Sequence, residues 1–187
     1  MDVVTTALTG LFLFLPALVP NSAAVLFGGG KPIDNYRTWK GKRILGDGKT
    51  WRGTIGGVAA GAGLGFLLLI VAYLFDPTDF WGYGPFPQNM GIVFTLAAGS
   101  LLGDMVGAFI KRRLGLDRGV KAPGLDQYDF VAGALLLTLL FFPNWVLETY
   151  VEGEAIVALI VLLIFVPVLH RTVNIIGFKL GKKKEPW

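Results

Sequence analysis

The sequence contains no cysteine and only one histidine. Without cysteine the chain can form neither a disulfide bond nor a Cys-ligated metal site. The sequence therefore does not indicate whether the protein works in an oxidising or a reducing compartment. The single histidine, His170, also excludes a two-histidine metal site within one chain. Because His170 lies beside Arg171 near the expected end of an apolar segment, we interpret it as a structural residue.

Charged residues are scarce as well: they make up 16% of the chain, against 53% hydrophobic residues, and the mean hydropathy is +0.61. This balance excludes an ordinary soluble domain. A helix needs roughly 20 residues to cross the hydrocarbon core of a membrane. Five apolar segments approach that length: 3–20, 54–75, 90–110, 130–147 and 155–173. The sequence therefore predicts an all-α integral membrane protein with five transmembrane helices in one domain, 1–187.

Positive charge is missing from one side of this predicted topology. All 17 Lys and Arg residues fall in the 21–53 loop, the 111–129 loop and the tail from Arg171. The positive-inside rule makes both long loops and the C-terminus cytoplasmic and puts the N-terminus outside the cell membrane. The first segment lacks the basic region of a secretory signal, so we expect it to be a retained span. Aromatic residues of the opposite connections are expected at the outer interface: Phe80, Trp81, Tyr83, Phe86, Trp145 and Tyr150.

Three aspartates stand near the cytoplasmic ends of the predicted spans. Asp104 lies inside the third span, where a carboxylate is costly unless it has a polar partner. Asp126 and Asp129, three residues apart, share a helix face at the start of the fourth span. If these spans pack together, the three carboxylates can converge on Mg²⁺. Alternatively, Asp104 pairs with a loop cation, and the other two are acids favoured by the helix dipole.

The stretch GDGKTWRG, residues 46–53, resembles a phosphate-binding loop at the mouth of the second span. It is not a P-loop, because Arg43 stands where that pattern requires glycine and no strand precedes it. Its glycines nevertheless leave backbone N–H groups open to an anion, and Lys49 and Arg52 add positive charge. The alternative is a flexible basic connector. Likewise, Lys111 and the two arginines after it are either a lipid-phosphate clamp or an interfacial anchor.

Small residues recur every four positions in the second and third spans. The second contains Gly57, Gly61 and Gly65, and the third contains Gly99, Gly103 and Gly107. Such stripes let helix backbones approach closely within lipid. We therefore expect a tight bundle that fixes the cytoplasmic ends of these spans.

Four stretches occur in a fixed order over nearly the whole chain: PNSAAVLFGGGKPID, GDGKTWRGTIGG, a GD followed by KRR, and PGLDQYDF. Together they resemble the archaeal CDP-archaeol synthase family, within the phosphatidate cytidylyltransferase superfamily. Arg52 and Gln127 depart from the bacterial pattern, which favours the archaeal family. The resemblance implies an Mg²⁺-dependent nucleotidyltransferase that uses CTP and a membrane-resident, unsaturated isoprenoid-ether glycerol phosphate in archaeal phospholipid biosynthesis.

The resemblance also implies roles for individual residues. Asp104, Asp126 and Asp129 are expected to hold one or two Mg²⁺ ions, and Lys49 and Lys111 to join them in catalysis. The expected substrate-binding residues are Asn21, Ser22, Gly28, Gly29, Gly30, Lys31, Asp34, Gly46, Asp47, Gly48, Lys49, Thr50, Arg52, Lys111, Arg112 and Arg113.

Other functions stay open at this point. A CDP-diacylglycerol synthase acting on phosphatidate would share these motifs. A small transporter would also carry an acid within a span, but broken helices at the membrane midplane are not indicated. A non-catalytic anchor would leave the three aspartates unexplained. No nucleic-acid partner is expected, and a homo-oligomer is among the alternatives for the assembly.

Overall fold

The computed structural model describes residues 2–117 and 119–181, and most of their regular structure is helical. The helices of this part are α1 (Val3–Leu13), α2 (Leu15–Leu18), α3 (Pro20–Phe27), α4 (Trp51–Phe75), α5 (Gln88–Arg113), α6 (Leu125–Phe141), α7 (Pro143–Tyr150) and α8 (Ile156–Lys179). The predicted helical class is therefore confirmed. One small addition is a hairpin of two antiparallel strands, β1 (Thr38–Trp39) and β2 (Lys42–Arg43), in the loop before α4.

Three of the described helices are long and apolar enough to cross a membrane: α4, α5 and α8 together with the turn before it. A fourth candidate is the bent pair of α1 and the segment 15–27, with an angle of 49°. The predicted span 130–147 is divided, because α6 ends at Phe141 and α7 begins at Pro143. Proline disfavours a helical conformation in the residue before it, which accounts for the break at Phe142. The count of five spans stays a prediction.

Two prolines shape the first span. Proline cannot donate a backbone hydrogen bond, and Pro16 and Pro20 stand in the first turns of α2 and α3. The chain changes direction around these positions but stays helical to Phe27. The predicted 21–53 loop was therefore too long at both ends. Asn21 and Ser22 belong to α3, and α4 already begins at Trp51.

Glycines allow the inner helices to touch, as the stripes predicted. On α4, a Cβ at Gly57 would lie 2.7 Å from the carbonyl oxygen of Pro20. On α5, a Cβ at Gly107 would overlap the carboxylate of Asp129 on α6. A side chain at either position would force the helices apart. The close approach of α5 and α6 thus determines where the Asp129 carboxylate lies.

A proline within α8 leaves a carbonyl group without its helical partner. Pro167 has no N–H to donate to the carbonyl oxygen of Leu163, four residues earlier. The hydroxyl of Tyr128 on α6 donates to that oxygen instead, at 2.9 Å. Since an unpaired carbonyl is costly in an apolar environment, this bond supports the contact between α6 and α8.

The aromatic residues expected at the outer interface are partly inside the bundle. Tyr83 and Tyr150 are fully buried and Trp145 is 5% exposed. Their polar atoms bond to backbone carbonyls: Tyr83 to Leu13, Tyr150 to Gly10, and Trp145 to Gly82. Buried tyrosine and tryptophan need such partners. These three side chains are therefore buried among the helices and not exposed in an interfacial belt, and they hold this end of the core together.

Candidate active site

A polar cavity of about 480 Å³ lies at the end of the bundle where the two long loops emerge. It is enclosed by α3, the loop that precedes α4, and parts of α5, α6 and α8. Of the site residues expected from the sequence, those lining it are Asn21, Gly28, Gly29, Asp47, Gly48, Lys49, Thr50, Asp104, Asp126 and Asp129. Residues far apart in the sequence, from α3 to α6, therefore meet in one place.

The loop around Lys49 is held by backbone pairing and by a helix cap. The N–H of Ile33 donates to the carbonyl of Lys49 at 2.9 Å, and the N–H of Trp51 donates to that of Lys31 at 3.2 Å. Thr50 caps α4, because its hydroxyl accepts from the N–H of Gly53 at 3.1 Å. These bonds fix Lys49 at the edge of the cavity.

Asp34 organises the same loop from within. The residue is 7% exposed, and its carboxylate accepts bonds from the N–H groups of Tyr36, Leu45 and Gly46 and from the guanidinium of Arg43. Burial raises the pKa of Asp34, but these donors lower it by more, so the pKa lies well below its usual range. Asp34, expected to bind substrate, here orders the turn that leads to Gly46.

The three aspartates share the cavity, and two of them are paired with lysine. Asp104 on α5 forms an ion pair with Lys49. Asp126 pairs with Lys111, with 2.7 Å between Nζ and Oδ1, and also accepts from the N–H of Ala122 at 2.8 Å. Both lysines expected to be catalytic therefore neutralise carboxylates expected to bind metal.

Carboxylate oxygen is the ligand type that Mg²⁺ prefers, so the donor chemistry around the cavity suits this ion. Within residues 2–117 and 119–181, however, no three His, Asp or Glu side chains converge closely enough to enclose a metal ion. The carboxylate of Asp129 accepts from the N–H of Phe130 at 2.7 Å. The three-aspartate metal site stays a prediction.

Arg113 is directed to the hairpin and not to the cavity. Its guanidinium lies 5.3 Å from the ring centroids of both Trp39 and Phe109, which stack on each other at 5.7 Å. It donates to backbone carbonyls of the hairpin, including that of Arg43 at 2.6 Å. Arg112 donates to the carbonyl of Leu116 in its own loop. Both arginines thus contact the polypeptide backbone.

The other expected site residues surround the cavity at a greater distance. Gly46 lies with Arg112 beside an adjoining cavity of about 360 Å³, and Asp47 lines both spaces. Ser22 faces a small space behind Asn21. The side chain of Arg52 packs against Gly30. Lys111 reaches the main cavity through Asp126.

His170, interpreted from the sequence as a structural residue, lies at the edge of the candidate site. It lines the main cavity and two neighbouring spaces, and its ring nitrogens lie 3.3 and 3.4 Å from the amide of Asn174. Asn174 is 2% exposed, one turn further along α8. His170 and Asn174 are four residues apart, which puts both side chains on one helix face, and this spacing was the sequence signal for their contact.

The described part of the chain is thus a helical bundle with helices of membrane-spanning length and a charged cavity at one end. The chain is similar to a solved intramembrane enzyme of archaeal membrane lipid biosynthesis, with a TM-score of 0.62 and 34% identity over 90% of this chain and 94% of the other. The chain belongs to the CarS-like CDP-archaeol synthase family, whose model matches residues 2–187.

Individual relatives agree with this assignment. The CDP-archaeol synthase of Methanospirillum hungatei is 53% identical over 92% of this chain and 99% of its own length. That of Halobacterium salinarum is 44% identical over the full length of both chains. That of Methanosarcina mazei is 43% identical, again over 92% of this chain and 99% of its own.

Proposed function

We propose that this chain transfers CMP from CTP to an unsaturated archaeol-type glycerol-1-phosphate lipid, releasing pyrophosphate and forming CDP-archaeol. Family membership over residues 2–187 supports the reaction. The observation that supports assigning this reaction to particular residues is the shared cavity. Its lining includes Lys49, Asp104, Asp126 and Asp129, at one end of the helices. Such a position lets a water-soluble nucleotide meet a substrate that stays in the membrane.

In the proposed reaction, an oxygen of the lipid phosphate forms a bond to the α-phosphorus of CTP. The bond from that phosphorus to the bridging oxygen breaks, and the electron pair leaves with pyrophosphate. A phosphate monoester dianion is already nucleophilic, so no side chain has to remove a proton. Positioning and neutralisation of charge are the main requirements for such a transfer.

Lys49 and Lys111 supply the positive charge in this scheme. Each is bound to an aspartate, and substrate phosphates compete with that aspartate for the ammonium group. Lys49, in the loop with Gly48 and Thr50, is assigned to the triphosphate. The glycines at 28 and 29 leave room beside Asn21 for the nucleoside. These assignments agree with the lining of the cavity.

We assign Asp104, Asp126 and Asp129 as the residues that would hold Mg²⁺. When bound, the ion would supply neutralisation of the phosphate charge between the two substrates. Release of the lysines to the phosphates would leave the carboxylates available to the ion. The same side chains can therefore serve both substrates and metal.

The membrane topology proposed for this enzyme has five spans, with the N-terminus outside and both long loops cytoplasmic. The divided pair α6 and α7 would form the fourth span. The separation of Lys and Arg to one side supports this orientation. It also puts the cavity on the side where CTP is made.

The function is tested with purified protein, radiolabelled CTP, Mg²⁺ and the isoprenoid-ether glycerol phosphate. We expect a lipid-soluble labelled product that is absent from a boiled control. Phosphatidate in a parallel reaction tests the acyl-lipid alternative, and we expect a lower kcat/KM with it. No labelled lipid from either substrate would contradict the proposal and favour a transporter or an anchor.

A further inference from the structure

The hairpin of β1 and β2 lies against α5, outside the candidate active site. We propose that this hairpin docks on the anionic surface of the membrane, with Trp39 at the level of the lipid headgroups and with Lys40 and Lys42 bound to lipid phosphates. The inference goes beyond the proposed function, because the partner is the membrane surface itself and no turnover is required.

Trp39 covers the end of a lipid-facing stripe on α5. Positions 102, 106, 109 and 113 follow one another at intervals of three or four residues and therefore share one face of this helix. Leu102 is 47% exposed and Val106 is 57% exposed, and on a helix of membrane-spanning length such apolar positions face lipid. Further along the same face, the ring of Phe109 stacks on that of Trp39 at 5.7 Å. The hairpin therefore meets α5 on its lipid-facing side.

The position of this contact along α5 indicates the depth of Trp39. The helix ends at Arg113, four residues after Phe109, and its last turn is basic. Basic residues at the end of a membrane span lie in the headgroup region. Trp39, which stays 51% exposed on top of Phe109, is therefore about one helical turn from that region. Tryptophan is enriched at this depth, because its ring is apolar and its N–H group is polar.

The hairpin also carries positive charge that the rest of its loop does not compensate. The segment 35–46 contains four basic residues and no acidic residue. Among residues 2–117 and 119–181, Arg43 is the one of these four that forms ion pairs, with two aspartates. Lys40 and Lys42 are both exposed. Exposed cations beside a membrane are attracted to anionic lipid headgroups.

The geometry of the hairpin brings both lysines next to Trp39. Lys42 is the cross-strand partner of Trp39, so the two side chains share a face of the hairpin. Lys40 and Gly41 form the turn, where positive φ angles of 52° and 74° suit a two-residue hairpin connection. The Lys40 ammonium lies 5.8 Å from the centroid of the Trp39 ring. Asp117 lines a cavity with Lys42, but these two described residues do not form an ion pair.

Docking of the hairpin would also support the loop that leads to the candidate active site. The guanidinium of Arg113 donates to the backbone carbonyl of Arg43 at 2.6 Å. The side chain of Arg43 in turn binds Asp34 and Asp47. Asp47 lines the main cavity, two residues before Lys49. A hairpin held on the membrane surface therefore holds one end of the loop that contains Lys49.

The test measures the depth of Trp39 in a membrane, on the purified full-length chain in nanodiscs and without substrates. The discs contain phosphatidylcholine, alone or with an increasing fraction of phosphatidylglycerol. The contribution of Trp39 is the difference in tryptophan fluorescence between the wild type and Trp39→Phe, and Trp39→Tyr replaces that variant if it fails to fold. We expect a lipid with a nitroxide close to its headgroup to quench this contribution more strongly than a lipid with a nitroxide at the end of its chain.

Acrylamide, an uncharged quencher in the water phase, reports the fraction of docked hairpin. Protection of Trp39 from acrylamide should increase with phosphatidylglycerol and disappear in about 1 M salt, where charges are screened within about 3 Å. Lys40→Gln and Lys42→Gln should each shift the equilibrium about fivefold towards the undocked hairpin, the effect of one cation at an anionic surface. Lys179→Gln, which removes an exposed cation at the end of α8, should behave like the wild type.

Each of the following results would overturn the proposal. Equal protection of Trp39 in neutral and anionic discs would show that the hairpin does not recognise anionic lipid. Strong quenching by acrylamide in all discs, with no quenching by either nitroxide lipid, would put the hairpin in water. An effect of Lys179→Gln as large as that of the hairpin variants would assign the attraction to the overall charge of the protein. Because no substrate is present, these outcomes are independent of CMP transfer.

Discussion

Lys111 and Asp126 form an ion pair across the second long loop, with 2.7 Å between Nζ and Oδ1. The pair joins the end of α5 to the start of α6, with both side chains largely buried. Lys49 and Asp104 form the equivalent pair between the first long loop and α5. Each loop is thus tied to the bundle by a cation that the proposed reaction needs.

Replacing Asp104, Asp126 or Asp129 with Asn should abolish most of the activity. The change keeps the shape of the side chain but removes an anionic ligand, and we expect turnover to fall about 100-fold or more. Double variants should be scarcely worse than single ones, because residues that act as a unit are not additive. Turnover is measured across a titration of Mg²⁺ and Mn²⁺, with monodispersity as the folding control. Near-normal turnover of Asp104→Asn would leave that residue as a partner of Lys49 only.

Gly107→Ala should destabilise the bundle. The added methyl group would overlap the Asp129 carboxylate, and overpacking of this kind costs about 1–3 kcal/mol. Gly63→Ala on α4 is the matched control, because its Cβ would meet no atom within 4 Å. Thermal unfolding in detergent should show a lower Tm for the first variant and no loss for the second. An unchanged Tm and activity for Gly107→Ala would show that α5 and α6 lie far enough apart at Gly107 to leave room for a methyl group beside Asp129.

The Asp34 carboxylate should stabilise its loop at neutral pH and lose this effect in acid. Because the folded-state pKa is depressed, the contribution is fully present above the unfolded value of about 3.9 and falls as the pH drops through the folded pKa. In Asp34→Asn, hydrogen exchange at Leu45 and Gly46, normalised for intrinsic rate, should be faster at pH 7. The difference from the wild type should shrink below about pH 4.

Asp47→Asn is the control for this comparison, since Asp47 binds the same Arg43 but its side chain is 60% exposed. Its effect on exchange should be small, as for most exposed ion pairs. Equal effects from the two variants would show that the Arg43 pairing, and not the buried carboxylate, orders the loop.

Arg113→Lys should loosen the hairpin although it preserves the charge. Lysine lacks the planar fork that donates to the hairpin carbonyls and stacks over Trp39. We expect increased quenching of tryptophan fluorescence by iodide and a lower kcat, with the KM for lipid unchanged. A rise in the lipid KM alone would restore Arg113 to the lipid-binding residues.

The absence of cysteine makes the proposed topology directly testable. Single cysteines at Thr38, Asp79 and Lys179 occupy exposed positions in the first long loop, the opposite connection and the end of α8. In intact cells, an impermeant thiol reagent should label position 79 and spare 38 and 179. Labelling of 38 but not 79 would reverse the orientation.

Helix positions were largely predictable from hydropathy, but their ends were not. The apolar run from Thr54 gave α4, yet the helix begins three residues earlier because the Thr50 hydroxyl caps it. In the first span, breaks at Phe14 and Val19 divide the helix into α1, α2 and α3, but the chain resumes a helical conformation after each break, so Asn21 is helical. Hydropathy detects burial in lipid, whereas caps and kinks depend on individual hydrogen bonds.

The candidate site was predictable in its chemistry but not in its pairing. The motifs identified Asp104 and Lys49 as candidate site residues. Because they are 55 residues apart, no helical or strand periodicity in the sequence could show that they bind each other. Arg113 was expected to bind phosphate, but its guanidinium donates to backbone carbonyls of the hairpin. The sequence does not show which side chains bond to backbone atoms, so this role could not be predicted. His170 was interpreted as structural because it lies beside Arg171 near the end of an apolar segment, and the sequence could not show that it shares a cavity with Asp126 and Asp129 of α6.

In the two lysine–aspartate pairs at the cavity, each ammonium group already neutralises a carboxylate. A ligand of one sign alone must separate a pair and leave a partly buried charge without compensation. A ligand that brings both signs can satisfy the lysine and the aspartate together. The cavity should therefore discriminate by charge pattern, and reject free polyanions and free cations that a site with only one kind of charge would retain.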